Sequence, residues 1–432
     1  MFWEKDIELI GPEGLKALQL TRLRATLEQA RRAPFYQKRL ASLGLGPESI
    51  KSLDDVRRLP FTSKEDLRAG FPYEFLAVHR DEVVRLHASS GTTGTPTAVY
   101  HTQADLDTWS NLVARCLYMA GLRRADVFQN LTGYGLFTGG LGLHYGAERL
   151  GAMVIPSGAG NSRRQVSLMR QFGTTALHII PSYAVRILET FQALGLDPRK
   201  DSRLRLAILG AEPHSEDLRR RIERGFGVLG INSYGLSEMN GPGVAFECPE
   251  RAGMHLWEDA YLLEVVDPVS LEPVPQGEQG EIVLTTLTRQ AMPVIRYRTR
   301  DLGRVLPGAC ACGRTHRRLD RIGGRSDDMF IIKGVNIYPL QVESVLLGCK
   351  DVGNNYLIVL ERQGASDHMT VRVEVAEKSR TLSAEEMKAV SRGLAAALKD
   401  ELLVSAKVEL AAPGSLYGGP GKAQRVQDLR PA

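Results

Sequence analysis

From about residue 83 to residue 240, short apolar runs alternate with amphipathic stretches, and this alternation restricts the fold more than any other feature of the chain. Ala152-Met153-Val154-Ile155, Ala176-Leu177-His178-Ile179-Ile180 and Leu206-Ala207-Ile208-Leu209 have the length and composition of buried strands. Helical spacing fills the gaps, from about Ser162 to Phe172 and from about Ser182 to Leu194. Strand and helix in turn predict α/β layers with largely parallel strands. Upstream, residues 1 to about 75 read as a helical lead-in, with Leu18, Leu20, Leu23, Leu27 and Ala30 at helical spacing. Thr62 and Glu65 offer a capping box. Past Ala260, the strand-like runs Tyr261 to Val266 and Glu281 to Thr286 lie close together and predict an antiparallel, barrel-like subdomain. Beyond Asp328 a helix near 339–347, strands near 355–361 and 370–375, and a helix near 384–398 predict a small α+β unit. The expected division is a large N-terminal domain over 1–326 and a small mobile C-terminal domain over 327–432, joined by a short hinge.

A chain of 432 residues can bury more than one core, which agrees with two domains. Its net charge of +5 is spread along the sequence, so a nucleic-acid partner is not expected. The densest basic run, Arg314, Arg317, Arg318, Arg321 and Arg325, suggests a polyanionic small-molecule partner. No apolar run approaches the roughly 18 residues that span a bilayer, so no membrane association is expected. The first residues lack a secretory pattern, and five cysteines make no disulfide framework, which points to the cytoplasm.

Ser89-Ser90-Gly91-Thr92-Thr93-Gly94-Thr95-Pro96 lies between two strand-like runs, Val83 to Ala88 and Pro96 to Tyr100. Its glycines and hydroxyls can wrap an anionic phosphate with main-chain and side-chain donors, without the lysine of a P-loop. This loop resembles the phosphate-binding signature of the adenylate-forming (acyl- and aryl-CoA ligase) superfamily. Four further motifs follow in that superfamily's order: Ser233-Tyr234-Gly235-Leu236-Ser237-Glu238, Tyr297-Arg298-Thr299-Arg300-Asp301-Leu302-Gly303, Gly324-Arg325-Ser326-Asp327-Asp328 with Lys333-Gly334-Val335-Asn336-Ile337-Tyr338-Pro339 after it, and Gly421-Lys422. The segment Gly133 to Gly140 and the wording Thr299-Arg300-Asp301 are most similar to the short phenylacetate–CoA ligases.

The resemblance implies a role for each motif. Ser89 to Thr95 would hold the phosphates of ATP. Gly210, Ala211, Glu212, Asn232, Ser233, Tyr234, Gly235 and Ser237 would line the adenine side, with Tyr234 offering a flat face. Glu238 would ligate Mg2+, since a carboxylate is a hard oxygen donor. Asp301 would accept both ribose hydroxyls, or else pair with Arg298, Arg300 or Arg304, and Arg325 would be the cation nearby. Lys422 would bridge the reacting carboxylate and phosphate. Asp327 would be the pivot of the small domain, and Lys333 and Gly334 would face CoA after the turn. Tyr134, Phe137, Gly139, Gly140, Leu236, Asn240 and Pro242 would form the acyl pocket, the two glycines leaving room for a flat ring. Cys310 and Cys312, with Cys248 and His255, would hold a structural Zn2+ in a tetrahedral thiolate and imidazole site, His316 being the competing fourth ligand. Cys116 and Cys349 read as core residues.

The implied activity is an ATP-dependent aryl–CoA ligase that forms an acyl-adenylate and then a CoA thioester, on phenylacetate or a related arylacetate. Two alternatives stay open: an adenylyltransferase whose acceptor is a deazaflavin cofactor or a carrier protein, and a nucleotide sensor without turnover. The resemblance also admits a homodimer.

Overall fold

The computed structural model describes residues 1–88, 96–332, 335–363, 366–416 and 425–430. It is a mixed α/β protein with a large N-terminal and a smaller C-terminal domain. Among the described residues, nine strands form the main sheet. Leu229–Leu236, Leu206–Leu209, Ala176–Ile179, Val127–Asn130 and Met153–Ile155 lie side by side and parallel. Gly241–Glu247 and Met254–Leu256 continue the sheet antiparallel on the other side of Leu229–Leu236. The central strands are apolar on both faces because helices cover both. Side-chain alternation divides them between two cores: Leu177, Ile179, Ala207 and Leu209 pack with the helices Ser162–Gln171, Pro181–Ala193 and Glu216–Phe226. Ala176, Leu206 and Ile208 pack instead toward the helices Gln103–Ala120 and Thr138–Leu150. These two helices approach closely because Gly146 has no side chain; a Cβ there would lie 2.3 Å from Val113 Cγ1.

The antiparallel pairing expected past Ala260 is observed as a four-stranded sheet, in the order Tyr261–Val266, Gly280–Thr286, Tyr297–Gly303 and Gly324–Arg325. The small domain has its own core, where Val342, Leu346, Ile358, Val371, Leu398 and Leu402 are buried. No helix among the described residues is long and apolar enough to cross a membrane.

Two sequence expectations need correction. The capping box lies one residue later than expected: Ser63 Oγ accepts from the Asp66 amide at 3.1 Å. Thr62 is drawn elsewhere, because its hydroxyl donates to the Ile295 carbonyl at 2.7 Å and its backbone bridges to Tyr297. The basic run is also not a polyanion site. Arg314 pairs with buried Glu8 at 2.6 Å, Arg317 with Glu258 at 2.6 Å and Arg321 with Glu216 at 2.5 Å. Arg318 donates to the carbonyls of Pro307 and Gly308. Only Arg325, the last of the five, stands in a nucleotide motif.

Candidate active site

The site forms where the carboxyl ends of the parallel strands meet the antiparallel sheet, the position at which open α/β sheets bind ligands. Gly210 follows the strand Leu206–Leu209 and must be glycine, since a Cβ would come within 2.2 Å of Ser233 Oγ. Ser233 Oγ donates to the Leu209 carbonyl at 2.9 Å, tying the two strand ends together. Ala211 has a left-handed φ of 71°, a strained value for a residue with a side chain and one often met at functional sites. The carboxylate of Glu212 accepts from the Ser182 amide at 2.6 Å, and the Asn232 amide donates to Glu247 at 2.8 Å.

Opposite these turns, the strand Tyr297–Gly303 presents Asp301. Its Oδ2 accepts from the Tyr234 hydroxyl at 2.7 Å and its Oδ1 from Arg325 at 3.3 Å. Arg325 in turn grips Asp327 with two hydrogen bonds of 2.8 Å. Tyr234, Asp301, Arg325 and Asp327 therefore form one chain of hydrogen bonds, joining three motifs that lie far apart in sequence. Burial, with the Asp301 carboxylate beside it, raises the Tyr234 phenol well above its ordinary value, so the ring stays neutral. Among the described arginines the partner of Asp301 is Arg325, not Arg298, Arg300 or Arg304: Arg298 and Arg300 pair with Glu281, and Arg304 with Asp320.

Glu238 lies in the short turn Ser237–Met239, and the turn is braced residue by residue. Ser237 Oγ is 3.0 Å from Thr138 Oγ1, Arg289 donates to the Glu238 carbonyl at 2.9 Å, and the Tyr261 hydroxyl donates to the Met239 carbonyl at 2.9 Å. Tyr297 neighbours the Glu238 carboxylate, and its phenol is raised well above its usual value by burial and by that carboxylate. Thr138, Tyr261, Arg289 and Tyr297 were missed by sequence reasoning. Tyr297 begins a motif and Thr138 lies within the segment Gly133 to Gly140, either of which could have exposed them, while Tyr261 and Arg289 carry no local signal. Glu238 is a buried, fixed oxygen donor, so its chemistry fits Mg2+.

The acyl segment differs from expectation at its glycines. A Cβ on Gly140 would lie 2.3 Å from the Gly133 carbonyl oxygen and 3.2 Å from Tyr134 Cα. The missing side chain makes room for the segment's own backbone, not for a ring. At Gly139 a Cβ would meet Phe137 at 2.6 Å, and Phe137 itself is exposed. Tyr134 is fixed by Asn130 Nδ2 at 3.1 Å and lies 3.3 Å from His144 Nδ1. Leu236 ends its strand at the turn and is partly buried. Gly235 packs against the Gly241 carbonyl, where a Cβ would come within 2.1 Å. Asn240 follows with a φ of 72°, and its buried Oδ1 has no hydrogen-bond partner among the described residues. The Pro242 carbonyl accepts from Trp109 at 2.8 Å. Gly140→Ala should therefore destabilise the fold by about 1–3 kcal/mol, as overpacking does. It should lower turnover of every acid alike, and thermal unfolding beside an acid panel would check both.

Cys248, His255, Cys310 and Cys312 converge, with one donor atom from each lying within 4.8 Å of all the others. Cys248 and Cys310 sulfurs are 3.7 Å apart, and Cys312 Sγ is 3.3 Å from His255 Nε2. The nearby Cys248 and His255 pull the Cys312 thiol below its ordinary value, and the proximity of Cys312 pushes the Cys248 thiol up. His316 does not compete for this cluster: its Nδ1 accepts from the Glu258 amide at 3.1 Å and its Nε2 donates to the Ile7 carbonyl at 2.9 Å. Ser89 to Thr95, Lys333, Gly334 and Lys422 lie outside the described residues.

Two family models match the chain, the AMP-binding enzyme over residues 25–289 and the AMP-binding enzyme C-terminal domain over residues 334–430. A phenylacetate-coenzyme A ligase of Thermus thermophilus is 46% identical, with 100% of each chain covered. Among solved structures, 2-hydroxyisobutyryl-CoA ligase in the postadenylation state, in complex with R3-HIB-AMP, superposes with a TM-score of 0.93 at 32% identity, covering 99% of this chain and 92% of that one. The same ligase in the thioesterification state, with 2-HIB-AMP and CoA, superposes with a TM-score of 0.74 at 33% identity and the same coverage.

Proposed function

The chain belongs to the AMP-binding enzyme family and is an AMP-forming CoA ligase, and from that premise we propose that its acid is phenylacetate or a close arylacetate. The observation that carries this reading is the end-to-end similarity to a ligase of phenylacetate, 46% identical with no part of either chain left over. That similarity also favours CoA over a deazaflavin or a carrier protein as the acceptor, and favours turnover over a sensor.

In the first half-reaction the acid's carboxylate attacks the α-phosphorus of ATP and pyrophosphate leaves. Asp301 would orient the ribose through its two oxygens, exchanging hydrogen bonds now made with Tyr234 and Arg325. Glu238 would hold Mg2+, which shares the phosphate charge when bound. Lys422 would place an ammonium between the two anions as they approach. For the second half-reaction, the small domain would turn about Asp327 and bring Lys333 and Gly334 toward CoA. A panel of acids scored by pyrophosphate release should give phenylacetate a far higher kcat/KM than acetate or a long-chain fatty acid. Equal use of acetate and phenylacetate would refute the arylacetate reading.

Within this reading the four-residue cluster holds a structural Zn2+. Thiolate and imidazole donors suit zinc, and tetrahedral Zn–S bonds of about 2.3 Å place sulfurs roughly 3.8 Å apart. The 3.7 Å between Cys248 and Cys310 fits that spacing. The cytoplasm, where thiols stay reduced, keeps these cysteines available as ligands. Protein purified without chelator should carry about one zinc per chain. Cys312→Ser and His255→Ala should each lower zinc content and melting temperature, while His316→Ala should keep the metal. Less than a tenth of an equivalent in the parent protein would sink the site.

A further inference from the structure

We propose that Glu343 is a positioning residue for adenylation, a latch that holds the small domain where Lys422 can act; the inference rests on the two-arrangement reading above. Glu343 lies on the small-domain helix Pro339–Leu347 and is only 4% exposed. Its Oε1 accepts from the backbone amide of Ser215 at 3.2 Å. Ser215 caps the large-domain helix Glu216–Phe226 and stands three residues past Glu212 on the nucleotide-facing turn. A carboxylate there meets both an unsatisfied amide and the positive end of the helix dipole.

The other oxygen of Glu343 faces inward. Oε2 accepts from the Tyr356 hydroxyl at 3.3 Å and lies 3.7 Å from Arg425. Arg425 stacks over the Tyr356 ring at 4.2 Å and donates to the Asn354 carbonyl at 3.3 Å. Arg425 is also the third residue after Lys422. One buried carboxylate thus connects the turn beside the nucleotide to the root of the segment that bears the lysine. A second contact crosses the same boundary, where large-domain Arg221 donates to Asn354 Oδ1 at 2.6 Å. Leu347, at the end of the Glu343 helix, packs on the large-domain core. The Ser215–Glu343, Arg221–Asn354 and Leu347 contacts belong to the postadenylation-like arrangement and must break when the small domain rotates, while the contacts of Glu343 with Tyr356 and Arg425 travel with that domain. Glu343 acts through the position of the small domain, so its effect is on which arrangement the chain occupies.

The test measures the half-reactions separately in the full-length protein, with X-ray scattering as the conformational readout. Glu343→Gln should slow ATP–pyrophosphate exchange by about tenfold, the scale of one buried charge-assisted hydrogen bond. Thioester formation from presynthesised phenylacetyl-adenylate should be as fast as in the parent or faster. Arg221→Ala, which weakens the boundary from the large-domain side, should act in the same direction. Scattering of both variants should shift toward the profile of the parent protein loaded with a sulfamoyl analogue of the adenylate plus CoA. If the parent's own profile is unchanged by adding CoA, the two-arrangement reading fails. If the parent responds but both variants match it in exchange rate and in scattering, the latch is refuted. An equal loss of both half-reactions in both variants refutes it too, since Glu343 would then only support the fold.

Discussion

Lys422→Ala should lower ATP–pyrophosphate exchange by on the order of 10²–10³, the loss typical of removing one preorganised donor from a site of developing charge. The same variant should convert presynthesised acyl-adenylate to the CoA ester at nearly the parental rate. The asymmetry follows from where negative charge collects. Carboxylate and triphosphate are brought together only in the first step, and an ammonium between them offsets their repulsion. In the second step a thiol attacks the uncharged carbonyl carbon of the acyl-adenylate and AMP leaves, and in the proposed mechanism the small domain would by then have turned about Asp327. Asp327→Pro should give the opposite pattern, retaining exchange and losing CoA transfer, because proline fixes φ near −65°. Measuring both half-reactions in both variants decides the matter. Equal impairment of the two steps in Lys422→Ala would show that the lysine is structural or that no turn separates them.

Asp301→Ala should raise KM for ATP by about 10² or more, since two hydrogen bonds to a charged acceptor are lost at roughly 1.5–3 kcal/mol each. Its effect should not stop at the ribose. Tyr234 Oη and Arg325 Nη1 both lose an acceptor, so the hydrogen-bond chain to Asp327 is cut at its middle. Asp301→Asn keeps an oxygen acceptor and the shape, and should fall between the two. Calorimetric binding of ATP, with thermal unfolding alongside, separates lost nucleotide affinity from lost folding. An unchanged ATP affinity in Asp301→Ala would remove Asp301 from the nucleotide site.

The sequence made the parallel sheet legible because strands buried on both faces are continuous apolar runs, as in Leu206–Leu209 and Ala176–Ile179. The same rule hid Gly241–Glu247, whose glycines and proline look like a turn although the segment pairs with Leu229–Leu236. The motif residues Tyr234, Glu238, Asp301 and Arg325 could be named from sequence, yet their mutual bonding could not. Asp301 and Tyr234 are 67 residues apart, and nothing local marks which of the neighbouring arginines it takes. Gly140 misled for a different reason. A glycine in sequence signals that space is needed but not what fills it, and here the occupant is the Gly133 carbonyl. The brace at Arg289 was invisible because it acts through a backbone oxygen, which has no sequence signature.

The stitch at Thr62 has a consequence for how the chain is made. The Thr62 amide donates to the Arg296 carbonyl, the Arg298 amide donates back to the Thr62 carbonyl, and Tyr36 Oη takes the Ile295 amide. The N-terminal helices leave the ribosome first, but their partners are more than 230 residues behind them. At about 5–20 residues per second, that interval is roughly 10–50 s. Throughout it, Tyr36 and Thr62 lack the backbone partners they bond in the finished protein. The N-terminal segment therefore waits for its anchor during that interval, and the strand that presents Asp301 is also one that supplies it, through the Arg298 amide.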